Sequence, residues 1–324
     1  MHLVTGREAT KIKMCISPNN ISEVGLVACH KCWQCRENRV NDYVGRCIAE
    51  SHNSDLTLSI TLTYGDGDTP ESATLVYKHY QLFMKNLRNA GYKVRYIVAG
   101  EYGSTKGRAH WHAILFFKGK VPKNIEFNKR INWKHWDKGY SFIEKPHYKS
   151  IRYVLKYLQK DTDKDVSNTH FALSKKPPLG DQYFKELAKK YVDSGLAPQT
   201  FMYSFDNEFD GQGNRREFMI QGKTRENFCK YYLHEWLDQH AFSNRKMPYS
   251  DIIEEYEDKL VGSDPVALWQ ELFNHLQSKN DRWHAPQIQN YDDEFVVIKN
   301  IANQWNLLWL RPMTEEEKVL THGS

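Results

Sequence analysis

The chain has 324 residues, of which 40% are hydrophobic and 13% aromatic, so its length allows two domains and its composition supplies a core. It contains no run of about 18 apolar residues, and its first residues lack a basic stretch followed by an apolar one, which argues against a membrane span and a secretory signal. Its 45 lysines and arginines against 40 aspartates and glutamates give a net charge of +5, which is compatible with a polyanionic partner.

Hydrophobic periodicity and turn residues predict a mixture of strands and helices along the chain. The predicted strands are residues 11–16, 56–64, 93–102, 109–117 and 139–143. The predicted helices are residues 36–51, 72–90, 148–160, 183–192, 226–239, 251–260 and 266–277. The turn-rich residues 103–108 join two of the strands and indicate a β-hairpin. The pattern favours an α+β fold with an antiparallel sheet of about five strands and flanking helices.

The polar, glycine-containing stretch 206–214 is the best candidate for a domain boundary. We therefore expect a cysteine-containing segment with its helix over 1–52, packed on a central domain over 53–205. A mostly helical C-terminal region is expected over 215–324. Because no Gly-x-x-x-x-Gly-Lys-Ser/Thr segment is present, any helicase activity would have to come from a partner.

Two histidines, His110 and His112, occupy alternate positions of a predicted strand, with Trp111 between them. Alternate strand residues share a face, so both imidazoles project together and form half of a metal site. If the hairpin turns as predicted, Glu101 lies near His110 and completes a set of two histidines and one carboxylate. Such ligands suit Mg²⁺ or Mn²⁺ beside a phosphate, with imidazole favouring Mn²⁺. The alternative is two histidines at the edge of the core with a surface glutamate.

A second motif consists of Tyr153, Lys156, Tyr157 and Lys160, which share one face of the predicted helix. A phenol has a pKa of about 10, but a neighbouring ammonium favours the phenolate and can hold a phosphate oxygen. Two phenols one turn apart could attack phosphodiesters in turn, which would allow a second transesterification without release of the first DNA end. The alternative is an amphipathic helix that packs through its tyrosines.

The third motif is a cysteine cluster, in which Cys29, Cys32 and Cys35 are spaced for a tetrahedral Zn²⁺ site in a reducing compartment. A fourth ligand is needed, for which Cys15 is the first candidate and His30 the second. Closed zinc would be structural and would fasten the irregular N-terminus to the following helix. Reduced free thiols and an iron–sulfur cluster are the alternatives.

Taken together, these motifs resemble those of HUH endonucleases. Residues 61–64 (TLTY), 100–103 (GEYG), 110–112 (HWH) and 153–157 (YVLKY) occur in the order found in that family. Within it, the chain most resembles the rolling-circle replication initiators of microviruses, single-stranded DNA phages of the gokushovirus type. The resemblance covers about residues 12–190. It implies an antiparallel sheet that carries the histidines on a central strand and the tyrosines on an adjacent helix.

The resemblance also implies an activity, which is nicking of a single DNA strand at an origin. This reaction leaves a 5′-phosphotyrosine and a free 3′-hydroxyl that primes synthesis, and a second tyrosine later rejoins the displaced strand. The expected compartment is the cytoplasm of the bacterial host. The resemblance implies Glu101, His110 and His112 as ligands of Mg²⁺ or Mn²⁺, Tyr153 and Tyr157 as nucleophiles, and Lys156 and Lys160 as phosphate partners.

Single-stranded DNA is held by backbone charge and by base stacking, so basic residues near aromatics are the candidate contacts. The loop 174–180 is the strongest of these, since it follows the tyrosine helix and its prolines hold it extended. The C-terminal third could bind duplex origin DNA, recruit the host replication helicase or mediate self-association. The candidate DNA contacts are Arg36, Arg39, Lys106, Arg108, Trp133, Trp136, Lys175 and Lys176.

Other functions compete with the phage initiator. Plasmid-type initiators, relaxases and transposases share the chemistry, but relaxases usually carry three histidines and single-tyrosine transposases lack the second phenol. A zinc-stabilised nucleic-acid-binding module without nuclease activity is the main alternative. A metal amidohydrolase also begins with His-x-His, but it needs an α/β barrel, and no alternating βα pattern occurs here.

Overall fold

The structure is a computed structural model that describes residues 15–22, 25–65, 70–103, 107–156, 170–240 and 245–263. The predicted helix at 266–277 and most of the predicted strand at 11–16 lie outside these residues. The strands are β1 (Asn19–Ile21), β2 (Gly25–Val27), β3 (Leu56–Thr63), β4 (Lys93–Tyr102), β5 (Ala109–Lys118), β6 (Arg130–Ile131), β7 (Ser141–Glu144), β8 (His170–Leu173), β9 (Met202–Phe209) and β10 (Arg215–Met219). The helices are α1 (Trp33–His52), α2 (Tyr77–Asn89), α3 (Tyr148–Leu155), α4 (Asp181–Asp193), α5 (Gly222–His240) and α6 (Asp251–Ser263).

Six strands form one antiparallel sheet in the order β6-β7-β3-β5-β4-β8. The predicted α+β class and the hairpin of β4 and β5 are confirmed. The two edge strands, β6 and β8, were not predicted, because segments of two and four residues are too short to show a period. The central strands β3, β5 and β4 are long and rich in β-branched or aromatic residues, which explains why their positions were predictable.

Side chains of β5 alternate between two buried faces of the sheet. Trp111 and Leu115 join a core that includes Phe83 and Leu87 of α2. Phe116 belongs to the opposite face, where α1 and α3 lie. Because helices cover both faces, β5 reads as a nearly continuous apolar run, and its two histidines interrupt that run at one end.

The stretch predicted as a domain boundary, 206–214, instead forms part of a hairpin. Strands β9 and β10 pair through it, and the turn is held by Asp210, whose carboxylate accepts from the backbone of Gln212 and Asn214. Asx turns of this kind use the same polar residues that mark linkers, which is why the pattern misled. The hairpin belongs with the sheet in one compact unit, which comprises Arg7–Tyr183 and Met202–Gln221.

The second unit comprises Phe184–Phe201 and the chain from Gly222 onward. Its described part is helical, as expected for the C-terminal region, and α5 buries Phe228, Tyr232 and Trp236. Among the described helices, none is both long enough and apolar enough to cross a membrane.

Gly139 allows two chain segments to pass closely beside the end of β3. The backbone of Thr63 donates to the Tyr140 carbonyl, and that of Gly65 donates to the Lys138 carbonyl at 2.7 Å. A Cβ at Gly139 would overlap the Thr63 carbonyl oxygen and the Gly65 nitrogen. These contacts involve backbone atoms, which cannot rotate away, so the approach of β7 to β3 requires a glycine here.

We expect Gly139→Ala to lower the free energy of unfolding by about 1–3 kcal/mol, because the added methyl group overpacks against backbone. Gly211→Ala is the matched control, since a Cβ there meets nothing within 4 Å. Urea unfolding of both variants measures the difference. Equal stability of the two variants would contradict this reading of Gly139.

Candidate active site and cysteine cluster

A cleft of about 570 Å³ opens where β3, β4 and β5 end beside α3. Strand register brings its walls together, because antiparallel partners place equivalent residues side by side on one face. One row across the sheet holds Arg130, Phe142, Thr61 and His112, and the next row holds Thr63, His110 and Glu101. The remaining lining residues are Gly103, Arg108, Tyr140 and Tyr153.

The two histidines project together, as their alternation predicted. Their rings lie 6.2 Å apart between centroids and are nearly parallel. Burial, followed by the charges of His110 and Lys156, lowers the pKa of His112 to about 4, and burial also lowers the pKa of His110. Both imidazoles are therefore neutral near pH 7, which is the state in which histidine binds a metal.

Each imidazole is oriented by a second contact. The Nδ1 atom of His112 lies 3.0 Å from the Thr61 hydroxyl, which leaves Nε2 directed into the cleft. His110 hydrogen-bonds to the backbone of Arg108. Such second contacts fix the tautomer and orientation of metal-binding histidines.

Glu101 pairs in register with His110, which confirms the predicted placement across the hairpin. Its carboxylate approaches the other histidine, with Oε2 3.4 Å from His112 Nε2. Among the described residues, only the cysteine cluster brings three or more ligand atoms within 4.8 Å of one another. The Glu101–His112 pair is thus already close, whereas His110 would complete the set by a rotation of its ring.

Tyr153 lies directly beside this pair. Its hydroxyl donates to the Glu101 carboxylate, 3.2 Å from Oε2, and its ring packs edge-on against His112. The ammonium of Lys156 lies 3.7 Å from the centre of the Tyr153 ring and 3.9 Å from Glu101 Oε2. A phenol, a carboxylate, an imidazole and an ammonium therefore meet in one place.

The helix α3 presents Tyr153 to solvent and buries its other face. Ile151, Val154 and Leu155 are buried, whereas Tyr153 is 42% exposed. The alternative interpretation, in which this tyrosine packs into the core, is therefore wrong for Tyr153. Tyr157 and Lys160 lie outside the described residues, and their roles stay predictions.

The four cysteines form a cluster at the start of α1, with Cys15 as the fourth member. Sulfur atoms lie 3.8 Å apart between Cys15 and Cys32, and 4.0 Å apart between Cys29 and Cys35. Tetrahedral zinc with bonds of about 2.3 Å requires sulfur atoms roughly 3.8 Å apart. The donor set and spacing therefore fit a metal ion such as zinc, and the exposed side chain of His30 is not part of the group.

The local backbone favours thiolates in this cluster. A hydrogen bond from the Cys35 backbone is the largest cause that lowers the pKa of Cys32, to about 6. Backbone hydrogen bonds from Cys32 and Lys31 lower the pKa of Cys29. Burial raises the pKa of Cys35 to about 12, so its thiolate requires a bound cation, which deprotonates a coordinating thiol.

The predicted DNA contacts are distributed over the molecule. Arg108 lines the cleft beside His110. Arg36 and Arg39 lie on α1, where Arg36 donates to the Lys31 carbonyl and so helps to close the cysteine loop. Lys106 lies outside the described residues.

Trp136 is not a stacking platform, and the prediction is corrected. It is 3% exposed, and its indole donates to the Thr63 carbonyl at 2.7 Å, so no base can reach its face. Trp133 is partly buried and packs edge-on against Phe83, which makes it chiefly a core residue. Both rings cover the apolar side of the sheet, a use of tryptophan that composition alone does not distinguish from base stacking.

Lys175 and Lys176 are exposed but do not line the cleft. Strand β8 runs antiparallel to β4, so the loop after it returns toward Tyr96, whose carbonyl accepts from Ser174. Tyr96 is five residues before Glu101, or roughly 17 Å along an extended strand. The expectation that this loop lies close to the tyrosine is therefore corrected, since closeness in sequence does not survive the direction of β8.

Several residues of the site had no predicted role. Thr61 was part of a recognised motif, but its contact with His112 depends on strand register. The guanidinium of Arg130 lies 4.8 Å from the centre of the Tyr140 ring, which makes a charged, planar wall of the cleft. Its basic, aromatic surroundings were the available signal, and they also surround the buried Trp136.

Comparison with known proteins agrees with the resemblance seen in the motifs. Residues 57–162 match a family model described as replication-associated protein, of the type that includes ORF2. This segment contains β3, β4, β5 and α3, and therefore all of the residues that meet at Tyr153. No solved structure matches the chain significantly.

Three curated relatives are similar to the chain. Replication-associated protein ORF4 of Chlamydia phage 1 is 28% identical over 207 residues, which cover 56% of this chain and 52% of the relative. Replication-associated protein VP4 of Bdellovibrio phage phiMH2K is 28% identical over 52% of this chain and 60% of its own length. Replication-associated protein ORF2 of Spiroplasma virus 4 is 29% identical over 41% and 48%. The chain thus spans about half the length of these relatives, and the matches confirm its similarity to phage replication proteins.

We expect one zinc ion per chain in protein purified without chelators, and its loss in Cys32→Ala, because three thiolates leave the tetrahedron open. Cys229→Ala is the control, since Cys229 is buried outside the cluster. Elemental analysis of the purified proteins measures the zinc content. Zinc retained at full occupancy in Cys32→Ala would show that the cluster does not hold it.

Proposed function

We propose that this protein is a replication initiator of the HUH endonuclease type, which cuts single-stranded origin DNA by transesterification onto Tyr153. One observation carries the proposal: the Tyr153 hydroxyl lies 3.2 Å from a carboxylate that is itself 3.4 Å from a neutral imidazole. A nucleophile next to a metal-binding pair is the arrangement that attack on a phosphodiester requires.

The proposed step exchanges one phosphodiester for another. The Tyr153 oxygen forms a bond to phosphorus while the bond from phosphorus to the 3′ oxygen breaks. The phenol loses its proton and the departing 3′ oxygen gains one, which leaves a 5′-phosphotyrosine and a free 3′-hydroxyl. Because the phenol is exposed at the mouth of the cleft, a DNA strand can reach it without a rearrangement of the sheet.

The chain's own residues prepare the phenol for this attack. Glu101 accepts a hydrogen bond from the hydroxyl and holds it in the cleft. The Lys156 ammonium lies over the ring, where a positive charge stabilises the phenolate relative to the phenol. It can also contact a phosphate oxygen as the strand binds.

The catalytic metal in this proposal is Mg²⁺ or Mn²⁺, held by Glu101, His110 and His112. Two neutral nitrogens and one carboxylate fit such an ion, with imidazole favouring Mn²⁺. When bound, it would polarise the scissile phosphate and neutralise developing negative charge. The hydrogen bond from Thr61 directs His112 Nε2 toward this position.

The cleft supplies contacts for the strand on both sides of Tyr153. Arg108 lies on the His110 side, and Arg130 stacks on Tyr140 across the row that contains Thr61. An arginine over an aromatic ring offers both a phosphate contact and a flat face for a base. We assign these residues to the binding of single-stranded origin DNA.

The names of the relatives, all replication-associated proteins of phages or viruses, support a role of this chemistry in phage replication. A rolling-circle cycle uses the 3′-hydroxyl as primer and rejoins the displaced strand, for which Tyr157 is the proposed second nucleophile. Duplex origin DNA and the host replication helicase are proposed partners within the bacterial host. The cysteine cluster has a structural role, since four protein ligands leave no position for substrate.

We expect Tyr153→Phe to abolish the first covalent protein–DNA adduct, because phenylalanine has no oxygen to attack phosphorus. The assay incubates the full chain with Mn²⁺ and single-stranded DNA from its own origin region, followed by a denaturing gel. Tyr157→Phe and the double variant determine whether the second phenol can substitute.

Tyr249→Phe is the matched control, because it removes an exposed phenol that does not line the cleft. Loss of the adduct only in the double variant would mean that the two phenols are interchangeable. No adduct with wild-type protein on any origin DNA would overturn the nuclease and favour a zinc-stabilised DNA-binding module.

We expect Thr61→Val to raise the Mn²⁺ concentration needed for half-maximal adduct formation by about 10-fold, because His112 loses the hydrogen bond that orients it. Thr57→Val is the control, since it removes a similar hydrogen bond, to Ser51, at the other end of β3. An unchanged Mn²⁺ requirement in Thr61→Val would exclude His112 as a ligand oriented in this way.

A further inference from the structure

The helix that carries Tyr153 is short. With eight residues, α3 makes about two turns, and helices of that length are not stable by themselves in water. Its geometry must come from tertiary contacts. Burial of Ile151, Val154 and Leu155 holds one face against the protein, but apolar packing alone does not prevent a helix from sliding or turning on a sheet.

A charged contact supplies the missing direction. Arg152, next to Tyr153 in sequence, reaches two acceptors on α1. One guanidinium nitrogen donates to Glu37 Oε1, and the other donates to Asn41 Oδ1 at 3.0 Å. A planar guanidinium held at two points fixes both position and orientation, which a single ion pair cannot do.

The acceptors of Arg152 lie next to the cysteine cluster. Cys32 is the N-cap of α1, its sulfur accepts from the Cys35 backbone, and Glu37 follows Cys35 by two residues. Asn41 is one helical turn further along the same helix. The first turns of α1 therefore connect the cluster with the contact to α3.

We infer that Arg152 is a positioning residue: clamped by Glu37 and Asn41, it holds α3 so that the Tyr153 hydroxyl meets Glu101 and His112. The inference rests on the proposed function of Tyr153 and extends it to three residues that touch neither DNA nor the cleft lining. It also gives the cysteine cluster a part in catalysis, since the cluster fixes the turn of α1 that carries Glu37.

The physical consequence is a loss of rate without a loss of binding. Misplacement of a reacting group by about 1 Å can reduce a rate about 100-fold. The cleft residues on the sheet stay in place when α3 shifts, because strand pairing positions them. Removal of the clamp should thus leave DNA affinity and the Mn²⁺ requirement unchanged.

The test compares Arg152→Gln with Lys149→Gln, which removes an exposed positive charge from the same helix. We expect Arg152→Gln to slow adduct formation at saturating DNA by about 10- to 100-fold and to speed amide hydrogen exchange in α3. Arg152→Lys should lose less, because it keeps the charge but not the two-point contact. Lys149→Gln should change neither quantity.

A double-mutant cycle distinguishes the clamp from independent effects. We expect Glu37→Gln to slow adduct formation in the same way, and Glu37→Gln with Arg152→Gln to be no slower than Arg152→Gln alone. Cys29→Ala, if the cluster acts through α1, should also speed exchange in α3. Its effect on rate should be smaller in the Arg152→Gln background than in wild type.

Different results separate this inference from the proposed function. Unchanged exchange in α3 of Arg152→Gln overturns the clamp, whatever the activity. Weaker DNA binding in Arg152→Gln with normal behaviour of Glu37→Gln overturns it as well, since Arg152 would then act on DNA directly. Faster exchange in α3 together with a wild-type protein that forms no adduct refutes the nuclease but leaves the clamp as a structural contact.

Discussion

The antiparallel register of β3, β5 and β4 is the constraint on which the rest of this site depends. It places Thr61 beside His112 and Glu101 beside His110, within two adjacent rows of one sheet face. Strand hydrogen bonds hold these rows, so the polar groups are rigid even though they stand at the end of an apolar sheet. A register shift of one residue would turn both histidines to the opposite face, where α2 packs.

Against this rigid floor, α3 is a small element that must be held from outside. Its apolar face packs inward, the stacking of Arg216 on Tyr148 holds its first turn, and Arg152 ties it to α1. A catalytic phenol on a separate element has an advantage over one on the sheet, because it can approach a bound strand from above the metal ligands. The cost is that its placement depends on a few side chains.

The cysteine cluster and the cleft represent two uses of metal-binding side chains in one chain. Four thiols within 4.8 Å close around an ion and leave no position open, which suits a structural role. Two imidazoles and a carboxylate face a cleft of about 570 Å³ and leave room for phosphate oxygens. The α1 helix begins at the first site and contacts the helix of the second, so the N-terminal segment belongs physically to the nuclease domain.

The sequence by itself determined the α+β class, the central hairpin, the four cysteines and the candidates Glu101, His112 and Tyr153, because these depend on local period and spacing. Only the tertiary structure decided which of two similar signals was real. It buried Trp136, turned Lys175 away from the cleft and joined Arg152 to Glu37, a contact that spans 115 residues. Burial, strand direction and long-range ion pairs depend on how distant segments meet, and no local pattern records that.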